Sequence, residues 1–322
     1  MIGHFWILAA GILLDRLVGD PDWLWRRLPH PVVWFGKLID FGDKMLNGDG
    51  RSTLYKRRAG AVFLMAGLAF IAGLGIGLSR FFAHFGWLGV ALEIVVVAVL
   101  IAHHSLAIHV RRVGEGYVRD GLAGGRLALS MIVGRDTSRL DESEIARGAI
   151  ESLAENFSDG VVAPVFWYAL AGLPGLLAYK FLNTADSMIA HKTPKYLHFG
   201  RATAKCDDVA NWLPARLSAI LVAVSCVLLG YKRFNRVMET VLRDAGLHRS
   251  PNAGWPEAAF AAGLDLQLGG PRIYAGEGVV AAQTLNAGGA PGAGMDDLAR
   301  ALRLFAMCGN CLLALIVLCA LI

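Results

Sequence analysis

The stretch Glu151-Ser-Leu-Ala-Glu155-Asn156-Phe-Ser-Asp159 stands immediately before a long apolar run at residues 161–182. Its three carboxylates follow one another at i, i+4 spacing, which places them on one face of a helix. Like charges stacked in this way repel one another, so the pattern predicts a compensating cation at the edge of an apolar segment. Magnesium carried by a nucleotide or a phosphate fits this role.

Two further groups of Asp and Asn follow downstream, and each of them borders an apolar run. They are Asn183-Thr-Ala-Asp186 and Asp207-Asp208-Val-Ala-Asn211. Carboxylate and amide oxygens suit a hard, hydrated cation better than zinc, which prefers Cys and His. A single acid at the end of a helix is more often a cap or a solvated interfacial group. Three such groups in one stretch favour a functional site, with candidate metal ligands Glu155, Asp159, Asp186, Asp207 and Asp208.

The composition indicates a multi-pass membrane protein. Of 322 residues, 55% are hydrophobic and only 18% are charged, and the mean hydropathy is +0.50. Alternating strand patterns are absent and the apolar runs have helix length, so we predict an all-α integral membrane domain spanning residues 1–322. The predicted apolar segments are 2–14, 59–78, 87–107, 161–182, 213–229 and 302–322.

The net charge of +5 reports orientation in the membrane rather than binding of nucleic acid. Lys and Arg number 24 in the connections 15–58, 108–160 and 231–303, against 5 in the connections 79–86 and 183–209. The three long connections are therefore predicted to be cytoplasmic. Strict alternation then places residues 183–209 on the opposite face from residues 151–159, unless the Pro- and Gly-broken segment 161–182 and its neighbour enter the membrane and return.

Polar residues in two connections are further candidates for substrate binding. Asp15 and Asp20 lie in a surface loop before His30, which precedes a proline and is either a ligand or a solvated loop histidine. In the last connection, a helix predicted to start near Pro256 leaves backbone N–H groups free for an anion, and Glu257 complements its dipole.

Four other features have structural alternatives. Glu93 lies alone in an apolar run, where it either serves a functional site or hydrogen-bonds within the bundle. Arg135 is expected either to hold a phosphate or carboxylate of a substrate or to lie on a solvated helix face. Gly73 and Gly77 predict close helix packing, and the Cys308-Gly-Asn-Cys311 spacing is interpreted as packing rather than a zinc or redox site.

Long ordered matches across the chain resemble the CobD/CbiB family of cobalamin biosynthesis, adenosylcobinamide-phosphate synthase. They run Leu14-Asp-Arg-Leu-Val-Gly-Asp-Pro21, His30-Pro-Val, residues 151–164, Tyr179-Lys-Phe-Leu-Asn-Thr-Ala-Asp-Ser-Met188, residues 207–216 and Ser250-Pro-Asn-Ala-Gly-Trp-Pro-Glu-Ala258. The resemblance implies an enzyme of the cytoplasmic membrane whose active site faces the cytoplasm. Other membrane-bound late enzymes of the pathway are expected partners.

The implied reaction is ATP-dependent amide ligation. It joins (R)-1-amino-2-propanol, or its O-phosphate, to the free propionate of adenosylcobyric acid, with Mg²⁺ and ATP as cofactors. The residues expected to act in catalysis are Glu151, Glu155, Asp159, Asp186, Lys192, Asp208 and Arg216. Those expected to bind substrate are Asp15, Asp20, His30, Asn156, Asn183, Asn211, Asn252, Trp255, Glu257 and Tyr274.

Two other classes of function compete with this one. A magnesium-dependent intramembrane prenyl or alcohol-phosphate transferase also uses paired Asp and Asn clusters, and it predicts a lipid-facing groove and a pyrophosphate product. A non-catalytic membrane regulator is the third class, against which the dense acid and Asn clusters speak. We expect the carboxylates of all three clusters to lie within roughly 12 Å of a common point if they share one ion.

Overall fold

The computed structural model describes residues 2–21, 25–270, 272–274, 278–280 and 283–322. The described chain is dominated by helices, which confirms the predicted all-α fold. The α-helices are α1 Ile2–Val18, α2 Pro31–Leu46, α3 Thr53–Ala83, α4 Trp87–Leu100, α5 His103–Ser130, α6 Glu142–Asn156, α7 Ala163–Ile189, α8 Arg201–Ala210, α9 Trp212–Leu228, α10 Phe234–Asp244, α11 Gly254–Leu264 and α12 Met295–Leu321. A π-helix covers Phe157–Val162 and a 3₁₀ turn covers Ala245–Leu247.

The described strands are short and form two antiparallel pairs. In one pair β1 (Leu268–Gly269) lies beside β4 (Thr284–Leu285), with Leu268 opposite Leu285. In the other, β2 (Arg272–Tyr274) lies beside β3 (Gly278–Val280). Two isolated strand pairs of this length do not make a sheet that would change the fold class.

Four described helical segments are long and apolar enough to cross a membrane. They are Thr53–Ala83, Trp87–Ser130, Glu142–Ile189 and Met295–Leu321. A fifth span results if Arg201–Ala210 and Trp212–Leu228, which are bent by 42°, count as one. The predicted segment 2–14 falls in α1, whose 17 residues are short of the ~20 that a span needs. The side of the membrane on which residues 183–209 lie stays a prediction.

The chain divides into two compact units. Unit 1 comprises Met1–Ala102, Ala163–Asn211 and Ile316–Ile322, and unit 2 comprises His103–Val162 and Trp212–Leu315. The division separates the helix that carries Glu151 from the helices that carry Asp186 and Asp207.

Unit 1 is built around α7, which packs along α3 and also contacts α1, α2, α4 and α8. Gly172 has a φ of 63°, and Pro174 follows it, so α7 is kinked there. A Cβ on Gly75 of α3 would lie 2.6 Å from Cα of Pro174, so this glycine permits the close approach of α3 to the kink. The prediction of close helix packing at Gly73 and Gly77 is wrong, because a Cβ at either position would meet no described atom of another element within 4 Å.

Unit 2 is built from α9, α10 and α11, which pack on one another, and from α6, which contacts α5 and α11. Phe157 of the π-helix is fully buried, with ring centroids 6.3 Å from Phe260 and 5.7 Å from Phe305. The prediction that three carboxylates share one α-helical face is wrong at Asp159, which lies in the π-helix. The α-helical i, i+4 register holds from Glu151 to Glu155 and is broken before Asp159, because a π turn closes its hydrogen bonds at i, i+5.

Candidate functional site

Several of the predicted site residues of unit 1 lie near the carboxyl ends of α7 and α8. Asp207 is 9% exposed, and its Oδ2 accepts a 2.9 Å hydrogen bond from Nδ2 of Asn211. The Tyr179 hydroxyl donates to Oδ1 of Asn211 at 2.8 Å, and Asn183 also hydrogen-bonds the Asp207 carboxylate. Asp186 is close enough to interact electrostatically with Asp207. We call these residues, with Asp208, the Asp207 cluster.

The neighbouring carboxylates Asp207 and Asp208 have different environments, as their divergence on a helix predicts. Asp207 is buried within the cluster, and its Oδ1 has no hydrogen-bond partner among the described residues. Asp208 is half-buried and interacts electrostatically with Lys192. Asp207 therefore offers a buried acceptor to a ligand, while Asp208 faces a cation of the chain itself.

The donor set of the cluster fits a hard cation. It consists of carboxylate and amide oxygens, and Oδ1 of Asp207, which accepts no hydrogen bond from the described residues, is buried. Within the part of the chain that the structure describes, no three His, Cys, Asp or Glu side chains are grouped so as to hold a metal ion. The carboxylates of Asp207 and Asp186 are the kind of donors that Mg²⁺ takes, since it is usually held by one or two carboxylates and completes its shell with water and substrate phosphates.

The loop that carries Lys192 is held to α2 by a buried acid. Nζ of Lys195 lies 2.6 Å from Oδ2 of Asp43, which is 6% exposed. The Tyr196 hydroxyl donates to the same oxygen at 3.3 Å, and Asn47 donates to Oδ1 at 2.8 Å. The hydrogen bond to Asp43 raises the pKa of Lys195 above its usual range.

His30 is a half-buried helix cap rather than a solvated loop residue. Its Nδ1 accepts the N–H of Val32 at 3.2 Å and its Nε2 lies 3.3 Å from the carbonyl oxygen of Val99, which together define the neutral tautomer. Burial lowers the pKa of His30, and Asp20, 3.9 Å away, opposes this shift. Asp15 is 2% exposed within α1, so it is less accessible to a substrate than the predicted surface loop implied.

In unit 2, Glu151 forms a buried ion pair with an arginine. Nη2 of Arg135 lies 3.2 Å from Oε2 of Glu151, and both side chains are largely buried. The backbone N–H of Gly269 donates to Oε1 at 2.7 Å. Arg135 was a candidate for holding a substrate anion. In the structure it holds the chain's own carboxylate.

A glycine makes room for this ion pair. A Cβ on Gly148, one turn before Glu151 in α6, would lie 2.2 Å from Nη2 of Arg135. The guanidinium therefore lies directly against the backbone of α6. The pair borders a cavity of about 140 Å³, which we call the Glu151 pocket and which is also lined by Ser152, Glu155 and Asn156.

The other acids of this stretch are more open. Glu155 and Asn156 are exposed at the Glu151 pocket, and Nδ2 of Asn156 donates to the carbonyl oxygen of Ser152 at 2.9 Å. Asp159 is half-buried on the π-helix. Glu155 is therefore the carboxylate of this stretch that combines exposure with a position at a cavity.

Arg216 is held between two indole rings. Its guanidinium carbon lies 4.2 Å from the ring centroid of Trp212 and 4.3 Å from that of Trp255. Nη1 donates to the carbonyl oxygen of Trp212 at 2.8 Å and to Oδ1 of Asn252 at 3.2 Å. No described carboxylate forms a salt bridge with Arg216. The stack fixes a cation whose charge no carboxylate of the described residues neutralises, and such a cation suits the binding of an anion.

The helix predicted to start near Pro256 begins at Gly254, beside this stack. Glu257 is 1% exposed, and its Oε1 lies 3.4 Å from Nε2 of His248. Glu257 therefore contacts His248 in addition to lying in the first turn of the helix, where it complements the helix dipole. The side chain of Tyr274 lies outside the described residues.

Two other predictions from sequence have an outcome. Glu93 hydrogen-bonds within unit 1, because the Tyr168 hydroxyl donates to its Oε1 at 2.8 Å. Cys308 and Cys311 are free thiols, and Cys308 is fully buried, which agrees with the packing interpretation.

The structure thus distributes the predicted residues over the two units. Asn183, Asp186, Asp207, Asp208, Lys192 and Asn211 belong to unit 1, and Glu151, Glu155, Asn156, Asp159, Arg216, Asn252, Trp255 and Glu257 belong to unit 2. Convergence of all the acids on one ion stays a prediction. Sequence reasoning missed Tyr179, Gly269 and His248 as partners; Tyr179 stands inside a quoted motif, whereas the other two carry no local signal.

Fold and polar groups together define a helical integral membrane protein with a buried, oxygen-rich cluster and an arginine stacked between two indole rings. A family model described as CobD/Cbib protein matches residues 8–305. The chain belongs to the CobD/CbiB family.

The relatives cover most of the chain. A protein named "Cobalamin biosynthesis protein CobD" from Rhizobium meliloti (strain 1021) is 55% identical over 300 residues, which cover 93% of this chain and 91% of that protein. A protein of the same name from Sinorhizobium sp is 59% identical over 271 residues, which cover 84% of each chain. A protein of that name from Rhodobacter capsulatus is 42% identical over 299 residues, 93% of this chain and 92% of that protein. No solved structure matches.

Proposed function

We propose that this protein is a cobalamin-biosynthetic enzyme of the cytoplasmic membrane that ligates an amine to a corrinoid carboxylate at the expense of ATP. Membership of the CobD/CbiB family and the names of its relatives support the pathway. The substrates are adenosylcobyric acid and (R)-1-amino-2-propanol or its O-phosphate. The excess of Lys and Arg in the long connections supports a site that faces the cytoplasm.

A carboxylate is a poor electrophile, so the reaction requires its activation. In the proposed step a carboxylate oxygen of the corrinoid attacks the γ-phosphorus of ATP, and ADP leaves. The amine then attacks the acyl carbon of this acyl phosphate, and inorganic phosphate leaves with the original carboxylate oxygen. The amine nitrogen loses a proton as the amide forms.

The observation that carries the proposal is the buried Oδ1 of Asp207, which has no hydrogen-bond partner in the part of the chain that the structure describes. Asp207 and Asp186 would hold Mg²⁺, which neutralises charge on a phosphoryl group during its transfer. Asn211 and Asn183 orient the Asp207 carboxylate by donating hydrogen bonds to it. Tyr179 fixes Asn211 in turn, so the direction of the free oxygen is set by a chain of hydrogen bonds.

The residues of unit 2 are assigned by their contacts. Arg216 binds an anionic oxygen of a phosphate, because its guanidinium is immobilised and no described carboxylate neutralises it. Glu151 acts as a positioning residue, since both of its oxygens already accept hydrogen bonds. Glu155 is exposed at the Glu151 pocket and is assigned as the acceptor of the amine proton.

Reconstitution of the purified chain in detergent tests the proposal. Adenosylcobyric acid, the amine, ATP and Mg²⁺ are supplied, and the corrinoid amide and ADP are quantified by chromatography and mass spectrometry. We expect amide and ADP in equal amounts, strong loss of turnover for Asp207→Asn, and normal turnover for Asp49→Asn, an exposed turn aspartate. Amide formation without ATP would refute the ATP-driven activation, and pyrophosphate release with an alcohol acceptor would support the transferase alternative.

A further inference from the structure

Unit 1 contains two adjoining cavities, and the proposed reaction assigns no ligand to either of them. The first, here called the basic pocket, has a volume of about 310 Å³ and is lined by Arg57, His191, Lys192, His198, Arg201 and Lys205 among others. The second, here called the apolar groove, has a volume of about 670 Å³ and is lined by residues such as Leu68, Trp167, Ala171, Pro174, Leu182 and Val209. Lys205 lines both cavities, so they adjoin at this side chain.

We propose that the basic pocket and the apolar groove together bind one anionic phospholipid, with its phosphate in the pocket and an acyl chain in the groove. Lys205 suits this junction, because a lysine lays its methylene stem along apolar surface while its ammonium group contacts a phosphate.

The charge of the basic pocket supports an anionic ligand. Arg57, Arg201 and Lys205 are exposed, and none of them forms a salt bridge with a described carboxylate. Nδ1 of His198, which lines the same pocket, is buried and has no hydrogen-bond partner among the described residues. Basic pockets beside membrane helices recognise anionic headgroups in this way.

The position of the two cavities along α3 supports a lipid rather than a soluble anion. Arg57 precedes the apolar part of α3, and Leu68 lies eleven residues further along it. At 1.5 Å per residue this is about 16 Å, roughly half of the ~30 Å hydrocarbon layer. A soluble phosphate would need only the pocket, whereas an acyl chain accounts for the larger groove behind it.

The groove has a structural origin within α7. The kink at Gly172 and Pro174 interrupts the helix, and the small side chains Ala171 and Ala178 line the space beside it. The kink and these small side chains of α7 therefore account for the space that forms the groove.

Native mass spectrometry of the full chain in detergent tests this proposal. The protein is titrated with phosphatidylglycerol and with phosphatidylcholine of the same acyl chains. We expect phosphatidylglycerol to bind at least tenfold more tightly. Arg57→Gln and Lys205→Gln should each weaken it about fivefold, which corresponds to about 1 kcal/mol per cation.

Matched controls separate the pocket from general surface charge. Arg58→Gln changes the neighbouring exposed arginine of α3, which does not line the pocket, and should bind like the unchanged protein. Ala171→Trp fills the groove and should weaken phosphatidylglycerol, whereas Leu170→Trp, at an exposed position outside the groove, should not.

Three results would overturn the proposal. They are equal binding of the two lipids, equal losses for Arg57→Gln and Arg58→Gln, and displacement of phosphatidylglycerol by equimolar glycerol 3-phosphate or inorganic phosphate. The last result would assign the basic pocket to a soluble anion. Melting curves of each variant confirm that the chain is folded before binding is compared.

Discussion

Replacing Asp207 by Asn should stabilise the empty protein while removing its activity. The substitution keeps an oxygen that accepts from Asn211, and it removes a negative charge beside Asp186. It also replaces a buried acceptor that lacks a partner among the described residues, a defect that costs about 1–3 kcal/mol. Because the new amide also needs partners, we expect a gain of about 1 kcal/mol, or about 2 °C in Tm.

The same substitution should abolish the response to the cation. At Mg²⁺ concentrations of about 100 times Kd the unchanged protein gains about 2.7 kcal/mol, and Asp207→Asn should gain little. Turnover should fall about 100-fold or more, since even residues that only support a metal ligand cost roughly 10–100-fold in affinity or activity. Asp208→Asn should have the smaller effect, because Asp208 is half-buried and faces Lys192.

The assay combines thermal unfolding in detergent, with and without Mg²⁺, with the reconstituted ligase reaction. Asp49→Asn serves as the control for loss of one surface charge. The reasoning is refuted if Asp207→Asn lowers Tm without Mg²⁺ and retains near-normal turnover at saturating Mg²⁺ and ATP. The cluster would then be a set of helix caps.

Three other perturbations follow from the described contacts. Arg135→Ala leaves Glu151 buried without its cation, so the free energy of unfolding should fall by about 3–5 kcal/mol. An unchanged melting curve would contradict a stabilising role of this ion pair. The pKa of His30 lies below its ordinary value of 6.5, so the unfolded chain binds more protons and Tm should fall as the pH drops below 6.5, less steeply in His30→Asn; equal slopes would show that protonation of His30 is not linked to unfolding. Arg216→Lys should raise KM for the phosphate-bearing substrate about tenfold with little change in kcat, because an ammonium group cannot stack between Trp212 and Trp255; an unchanged KM would remove Arg216 from substrate binding.

The fold class could be predicted from the sequence because it depends on composition and run length, which are local properties. Apolar runs of helix length leave an all-α membrane protein as the consistent solution. The π-helix at Phe157–Val162 could not be predicted in this way, because no short sequence pattern distinguishes a π turn from an α turn.

The candidate site was predictable in its residue types and less so in its pairings. The divergence of Asp207 and Asp208 follows from helix geometry alone, and the structure agrees with it. The ion pair of Arg135 with Glu151 depends on how a loop returns to α6, so sequence left Arg135 open between a substrate contact and a solvated face. Gly148, whose missing Cβ permits that pair, gives no signal in the sequence.

Transfer of oxygen from the corrinoid carboxylate to phosphate tests the central claim most directly. Adenosylcobyric acid labelled with ¹⁸O in its free carboxylate is turned over with unlabelled ATP, and the released phosphate is examined by mass spectrometry. An acyl phosphate formed at the carboxylate predicts one ¹⁸O atom in inorganic phosphate for each amide made. Label in AMP, or amide formation with no label in any phosphate, would contradict it.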